Sequence, residues 1–256
     1  MSASNTQNDF SKGSIVKNIM NLAIPMTLAQ LINVLYNIVD RIYIGRIPDH
    51  ATLSLTGIGL SLPIITLVIA FANLFGMGGC SIERGRGDIK EAEAIMGNSF
   101  SMMVISGMLL TVLCLIFRKP MLYLFGASDA TYPYADAYIT IYLLGSLFVM
   151  VGLGMNSFIN SQGFGRIGMM TVLLGAAANI LLDPIFIFAL HLGVRGAAIA
   201  TVLSQLLSAA WVVKFLTGKK AELKLDFRGF RPDWHCIQRI TVLGIASFVM
   251  SFTDML

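Results

Sequence analysis

Seven apolar runs, most of them long enough to form a membrane-spanning helix, follow one another along this chain of 256 residues. They lie at residues 19–44, 53–78, 94–117, 135–160, 168–190 and 197–217, and a further run begins near residue 240. A helix that spans a bilayer needs about 20 mostly apolar residues, which each of the first six runs provides. The sequence therefore predicts an all-α membrane protein with a six-helix transmembrane bundle and a truncated seventh helix.

The composition excludes an ordinary water-soluble domain. Hydrophobic residues make up 56% of the chain and charged residues only 12%, whereas soluble domains carry about 25% charged residues. The net charge of +4 does not indicate a nucleic-acid partner, because the basic residues lie mostly in short segments between the apolar runs. The three cysteines (Cys80, Cys114 and Cys236) form no CxxC or metal-binding spacing, so we interpret them as reduced structural thiols.

The distribution of basic residues predicts the orientation of the chain in the membrane. With the N-terminus inside, thirteen of the 18 lysine and arginine residues fall in cytoplasmic segments, where membrane proteins concentrate them. The polar first eighteen residues contain no short apolar core followed by a small-residue cleavage site, so a removable signal peptide is not expected. The prediction is a multi-pass protein of a cytoplasmic membrane with its N-terminus inside.

Three segments are predicted along the chain: a transmembrane lobe at 1–217, a cytoplasmic linker at 218–239 and the start of a second lobe at 240–256. Apolar and charged residues alternate within the linker, which favours a segment lying at the membrane interface, and Pro232-Asp233 predicts a helix start. The seventh run stops at Leu256, about 17 residues in, which is short of a full span. We therefore expect an N-terminal fragment of a longer protein.

A weak internal repeat agrees with a second lobe. The segment Leu22-Ala-Ile-Pro25 in the first run is similar to Leu243-Gly-Ile-Ala246 in the seventh run. Parallel repeats of this kind are common in transporters, so the seventh helix is predicted to restart the pattern of the first.

A polar stripe crosses the first apolar run. Gln30, Asn33, Asn37 and Asp40 recur at steps of three, four and three, which places them on one face of a helix. Apolar side chains cover the remainder of that helix. Lipid cannot satisfy polar groups, so the stripe must face protein or water, and its carboxylate is a functional hypothesis by default.

The depth of other buried polar residues predicts what faces Asp40. Asp40 lies about five residues from the outer end of the first run, and Asp183 about seven residues from the outer end of the fifth, so at 1.5 Å per residue their depths agree within about 3 Å. Asn179 lies one turn deeper, and Thr201 in the sixth run is at nearly the same level. The prediction is a polar cluster of Asp40, Asn179, Asp183 and Thr201 in the outer half of the bundle.

Two carboxylates in such a cluster should hold a cation. In a low-dielectric pocket they cannot both stay ionised unless a positive charge lies between them. A proton fits, and so does Na⁺ with the oxygens of Asn179 and Thr201 completing its shell. The alternatives are that Asp40 pairs with Arg41 or Arg46, and that Asp183 caps a bend before Pro184.

Further polar residues are predicted to line a substrate cavity beside the cluster. Those residues are Gln30, Asn33, Tyr36, Asn37, Asn156 and Gln205. Hydrogen bonds between helices explain such residues as well as substrate contacts do. Pro25, Pro63 and Pro184 each remove a backbone donor, so bends are expected in the first, second and fifth helices.

Four motifs follow one another along the chain: Ala23-Ile-Pro25, Asn37-Ile-Val-Asp40-Arg-Ile-Tyr-Ile-Gly45, Asn179-Ile-Leu-Leu-Asp183-Pro184 and Arg195-Gly-Ala-Ala-Ile-Ala-Thr201. In this order and at these spacings they resemble the motifs of the multidrug and toxic compound extrusion (MATE) transporters of bacteria. The resemblance covers essentially the whole chain.

The resemblance implies twelve helices in two six-helix lobes. It also implies an antiporter that exports amphipathic or cationic drugs, driven by H⁺ or Na⁺, with the cation site at Asp40, Asn179, Asp183 and Thr201. The implied partners are drugs or organic cations, membrane lipid and a C-terminal lobe. No enzymatic activity, no cofactor beyond the coupling ion and no nucleic-acid partner are expected.

Two other functions remain open on the residues alone. A flippase for lipid-linked precursors or polysaccharides of the same superfamily would typically place several cationic residues in its cavity, whereas the charges buried within these spans are acidic. An intramembrane prenyltransferase would use a motif of which Asn179-x-x-x-Asp183 is half. That motif needs a further acidic residue one turn on, where the chain has Ile187, and a second acidic motif, which the chain lacks.

Overall fold

The computed structural model describes residues 14–48, 50–76, 89–225 and 233–253, and within these ranges the backbone is helical and forms no β-strand. The helices are α1 (Ile15–Ile44), α2 (Ala51–Gly76), α3 (Ile89–Leu124), α4 (Tyr132–Leu144), α5 (Ser146–Ser161), α6 (Gly165–Pro184), α7 (Gly193–Leu216) and α8 (Trp234–Thr253). A π-helical turn at Ile185–Ala189 continues α6.

Six membrane spans can be assigned within these ranges. Helices α1, α2, α3, α6 and α7 are each long and apolar enough to cross a bilayer, and α4 with α5 forms a sixth span whose two halves are bent by 57°. The predicted all-α membrane bundle is therefore confirmed. Helix α8 begins directly after Asp233, whose Oδ1 accepts the N–H of His235 at 2.9 Å, so the predicted helix start is confirmed as well.

The fourth span differs from the continuous helix that was expected at 135–160. It breaks at Gly145, where the backbone also passes so close to α7 that a Cβ atom would lie 2.4 Å from a methyl carbon of Val202. The third span is also longer than predicted at both ends and continues through Pro120. Polar residues in its first turn and basic residues near its last turn extend the helix beyond the apolar run.

The bend expected in the fifth span falls at the point where the helix changes type. Pro184 ends the regular part of α6, and the wider π-helical turn follows immediately. Proline lacks the N–H that would bond one turn back, which is the usual cause of such a break. Helices α1 and α2 remain helical through Pro25 and Pro63.

Packing in the bundle is uneven around α1. This helix lies mainly along α6 and makes only light contact with α2 and α7, whereas α4 and α5 each pack closely against both α2 and α7. The apolar side of α1 is open to lipid, with Leu31, Val34 and Leu35 each more than half exposed. The weak α1–α2 contact leaves a space between the two helices on the side that carries the polar stripe.

The chain that follows α7 is fixed to the ends of other helices. The side-chain oxygen of Gln162 accepts the N–H groups of Glu222 and Leu223, both at 3.0 Å, and Glu93 accepts the N–H of Lys224 at 2.9 Å. Leu223 and Leu225 are buried. The middle of the predicted linker, residues 226–232, lies outside the described residues, as do Cys80 and the end of the seventh run.

Helix α4 is positioned by a close backbone contact with α2. A Cβ atom on Gly57 would lie 2.8 Å from both the Cβ of Tyr134 and the backbone nitrogen of Ala135, whereas a Cβ on Gly59 would meet nothing within 4 Å. The two glycines belong to the same helix and differ only in what faces them.

We predict that Gly57→Ala lowers the stability of the purified chain by about 1–3 kcal/mol, because the added methyl group overpacks this contact. Gly59→Ala is the matched control and should be neutral or slightly stabilising, since alanine favours helix more than glycine does. Thermal unfolding in detergent, followed by circular dichroism, measures both. Equal effects of the two substitutions would contradict the contact.

Candidate functional site

The packing of α1 along α6 brings two carboxyl groups together inside the bundle. Asp40 of α1 and Asp183 of α6 lie close enough for their carboxyl groups to interact. Asp183 is fully buried, and Asp40 is half-buried at the edge of the space beside α1. The pair that was predicted from depth alone is therefore in contact.

Three oxygens around this pair have no hydrogen-bond donor. Asn179, one turn before Asp183, donates its side-chain N–H to Asp183 Oδ1 at 3.3 Å. This leaves Asn179 Oδ1, Asp183 Oδ2 and Asp40 Oδ1 buried without a hydrogen-bond partner among the described residues. An unsatisfied buried polar group costs about 1–3 kcal/mol. A bound cation or proton shared by these oxygens would remove that cost, so the donor set fits a small hard cation.

Thr201 reaches the same region from α7 through a tyrosine. Its hydroxyl donates to the carbonyl oxygen of Ala197 at 3.0 Å and lies close enough to the hydroxyl of Tyr138 to interact with it. Tyr138 lies close enough to both carboxylates to interact with their charges. Thr201 therefore stands at the wall of the site, linked through Tyr138 to the carboxylate pair.

Sequence reasoning missed Tyr138 and its neighbour Tyr142. Both are buried in α4, and their rings are stacked with centroids 6.2 Å apart. A signal was available, since Tyr134, Tyr138 and Tyr142 recur every four residues in an otherwise apolar run. That spacing places three hydroxyl groups on one helix face.

A cavity of about 370 Å³ opens beside Asp40, between α1, α2, α4, α5 and α7. Its polar wall consists of Asn33, Tyr36, Asn37, Asp40, Arg41, Tyr138, Tyr142, Thr201 and Gln205. Its apolar wall comes mainly from isoleucine and leucine side chains of α2. A second pocket of about 70 Å³ adjoins it and is lined by Asn33, Tyr36, Asn156, Asn179, Thr201 and Gln205, among others.

The predicted lining residues thus fall around these cavities with one exception. Asn33, Tyr36, Asn37, Asn156 and Gln205 each line one cavity or both. Gln30 lines neither of them and is exposed on α1. It lies on the same face as Asn37 but two turns away, about 10 Å further along the axis, and the cavities end before that level.

Arg41, the alternative partner of Asp40, interacts with it more weakly than Asp183 does. Arg41 is exposed at the cavity wall, and its charge acts on Asp40 more weakly than the contact with Asp183. Among the described residues, ion pairs join Arg118 to Asp136 and Arg239 to Glu91, and none reaches Asp40. The pairing of Asp40 with arginine is therefore not its main interaction in this structure.

Comparisons with known proteins agree with this architecture. The MatE family model matches residues 25–185 of the chain. The multidrug export protein MepA of Staphylococcus haemolyticus is 31% identical over 244 residues, a match that covers 94% of this chain and 54% of that protein. The chain thus spans about half the length of the curated relatives it matches.

Solved structures show the same similarity. An outward-facing multidrug resistance MATE family transporter of the MOP superfamily superposes with a TM-score of 0.87 at 27% identity, over 98% of this chain and 56% of that one. A MOP superfamily transporter from Pyrococcus furiosus, described as having a binding pocket of reverse polarity, gives a TM-score of 0.86 at 27% identity, over 98% and 55%. The chain belongs to the MatE family, the family of the MATE transporters.

Proposed function

We propose that this chain forms the first lobe of a cation-coupled antiporter that exports amphipathic, often cationic, drugs and toxic compounds across the bacterial cytoplasmic membrane. The observation that carries this proposal is the buried pair of Asp40 and Asp183, whose unpartnered oxygens lie beside a polar cavity. The name of the relative in Staphylococcus haemolyticus, a multidrug export protein, supports the class of substrate.

Coupling follows from what a cation does to the two carboxylates. When H⁺ or Na⁺ lies between them, Asp40 and Asp183 are held together, and the buried oxygens are satisfied. When the cation leaves, the two like charges repel each other in a medium of low dielectric constant. Because α1 is held chiefly by α6, this repulsion acts on the contact that fixes α1 in the bundle.

The position of α1 in turn sets the shape of the cavity. Asn33, Tyr36 and Asn37 of α1 form one wall, and α2 forms the opposite wall. Cation occupancy therefore favours one arrangement of this space over another, which is how a ligand shifts a conformational equilibrium. The same cation and the transported compound meet at Asp40, so binding of one can oppose binding of the other.

The lining of the cavity suits an amphipathic organic cation. Small-molecule sites commonly enclose about 300–1,000 Å³, and the larger cavity lies in that range. The aliphatic wall of α2 accepts an apolar body, and the aromatic rings of Tyr36, Tyr138 and Tyr142 accept a positive charge by cation–π attraction. Asp40 supplies a full negative charge at the edge of the same space.

The residues of the site favour a proton or Na⁺ over a softer metal ion. Asp40, Asp183, Asn179 and Thr201 offer only oxygen, the ligand atom that hard cations prefer. Among the described residues no group of three or more histidine, cysteine or acidic side chains forms a metal site, which weighs against a prenyltransferase that binds diphosphate through metal ions. The MatE family is a family of transporters, which agrees with this reading.

The flippase alternative is less well supported by the same cavity. A flippase for lipid-linked anions would need several cationic groups in the cavity, whereas Arg41 is the one cation lining the larger cavity in the described part of the chain, beside Asp40. In the proposed orientation the N-terminus is cytoplasmic, and the second lobe of the twelve-helix transporter completes the substrate pathway.

A first prediction concerns cation binding to the purified chain. Replacing choline by Na⁺ at constant ionic strength, or moving from mildly alkaline to mildly acidic buffer, should raise its melting temperature, because the cation binds the folded pair and not the separated residues. A ligand at 100 times its dissociation constant stabilises by about 2.7 kcal/mol. Asp183→Asn should abolish the response, whereas Asp129→Asn, at an exposed carboxylate between α3 and α4, should keep it.

That experiment has a clear negative outcome. A wild-type chain that responds to neither Na⁺ nor acid, or an Asp183→Asn variant that responds as the wild type does, would contradict the cation site.

A second prediction concerns transport in cells that express the complete reading frame encoding this chain. Asp40→Asn should slow energised efflux of a fluorescent cationic dye at least about tenfold, which corresponds to a lost interaction of about 1.4 kcal/mol. Asp129→Asn is again the control, and immunoblotting checks that each variant reaches the membrane in equal amount. Undiminished, ion-driven efflux by Asp40→Asn would contradict the assignment.

A further inference from the structure

A groove of about 310 Å³ lies at the end of α7, away from the carboxylate pair and its cavities. It is lined by Ile167, Trp211, Lys214, Phe215, Gly218, Lys219 and Lys220. None of these residues contributes to the proposed export site. We propose that this groove binds one anionic phospholipid, with its phosphate at the lysines and an acyl chain against the aromatic wall.

The apolar part of the groove is built on one helix face. Trp211, Lys214 and Phe215 are three and four residues apart, so they lie side by side on α7. The ring of Phe215 is held edge-on by Phe164, with centroids 5.1 Å apart. Both Trp211 and Phe215 are half-buried, and Ile167 from the first turn of α6 faces them across the groove. This wall is preformed and apolar.

The cationic part of the groove lies at the end of the same helix. Lys214 is in the last turn of α7, and Lys219 and Lys220 follow directly after the turn that ends it. All three lysines are exposed. Among the described residues that line the groove there is no carboxylate, and Glu222, two residues beyond Lys220, is outside it. The groove therefore combines an apolar wall with a rim of uniform positive charge.

The position of this combination selects a lipid over a free anion. Helix α7 is a membrane span, so its end lies where lipid headgroups meet water. Tryptophan and lysine are favoured at that level because one part of each side chain is apolar and the other polar. A small anion would satisfy the lysines but leave Trp211 and Phe215 uncovered. An anionic phospholipid satisfies both parts, and basic pockets between spanning helices bind such headgroups.

Simpler explanations for the presence of the three lysines do not explain their position around an apolar groove. Lys214 is favourable near the negative end of its own helix, but Lys219 and Lys220 lie beyond that end. A general excess of lysine on the cytoplasmic side would explain the sign of the charge, not its placement around an aromatic cavity. In the proposed orientation this lipid belongs to the inner leaflet. The inference does not depend on whether the chain exports drugs.

The two tryptophans of the chain allow a direct test. In a Trp234→Phe background, Trp211 is the only tryptophan and reports on its own lipid contacts. This chain is reconstituted into phosphatidylcholine vesicles that contain graded fractions of brominated phosphatidylglycerol or, in parallel, brominated phosphatidylcholine. We expect quenching of Trp211 by the anionic lipid at a several-fold lower fraction than by the zwitterionic lipid.

The lysine variants test the rim of the groove. Lys219→Gln with Lys220→Gln should remove most of the preference, since each lysine near an anionic headgroup contributes about fivefold to binding. Lys224→Gln is the control, because it removes one positive charge from the same segment outside the groove. A Trp211→Phe chain, which keeps Trp234, should show no preference. Circular dichroism confirms that each variant is folded.

Several results would overturn the proposal. Equal quenching by the two lipids, an unchanged preference in the double lysine variant, or an equal loss in Lys224→Gln would each exclude a specific lipid site. Loss of the preference on addition of inorganic phosphate or glycerol phosphate would assign the groove to a small soluble anion instead.

Discussion

The interaction between Asp40 and Asp183 is the one on which the proposed coupling depends. Two carboxylates that share a buried space repel each other, and replacing water by protein makes the repulsion stronger. Such a pair is stable only with a positive charge between the oxygens. The structure adds three buried oxygens that lack hydrogen-bond donors, so the site is incomplete until a cation satisfies them. We regard this incompleteness as the origin of the proposed coupling.

The two carboxylates of the site lie on helices that are held in the bundle to different extents. Asp183 sits in α6 just before the π-helical turn, fully buried against α7. Asp40 is on α1, which has little contact with any helix other than α6. Tyr138 joins the site to Thr201 across a third helix. A change in charge at the pair should therefore act mainly on the position of α1, and α1 is one of the helices that line the cavity.

Sequence reasoning predicted the features that are decided by the residues of a single helix. Helix rise and membrane thickness place Asp40 and Asp183 at one depth, and the proline rule locates the change of helix type after Asp183, so both followed from the residues. The break at Gly145 was not predicted, and the close approach of Val202 to this glycine involves another helix, which the residues of the fourth span do not reveal. For the same reason Tyr138 was missed as the partner of Thr201, and Gln30 was assigned to a cavity that ends before its level. Contacts between helices decided each of these points.

The most direct test of the central claim is the protonation state of the pair, read by difference infrared spectroscopy of the chain in lipid bilayers. In sodium-free buffer at neutral pH, we predict a protonated carboxyl band that is absent in Asp183→Asn and Asp40→Asn and that decreases when Na⁺ replaces the proton or when the buffer is made alkaline. A wild-type chain in which both carboxylates are ionised in sodium-free buffer, or a band that persists in both variants, would contradict a cation shared between Asp40 and Asp183.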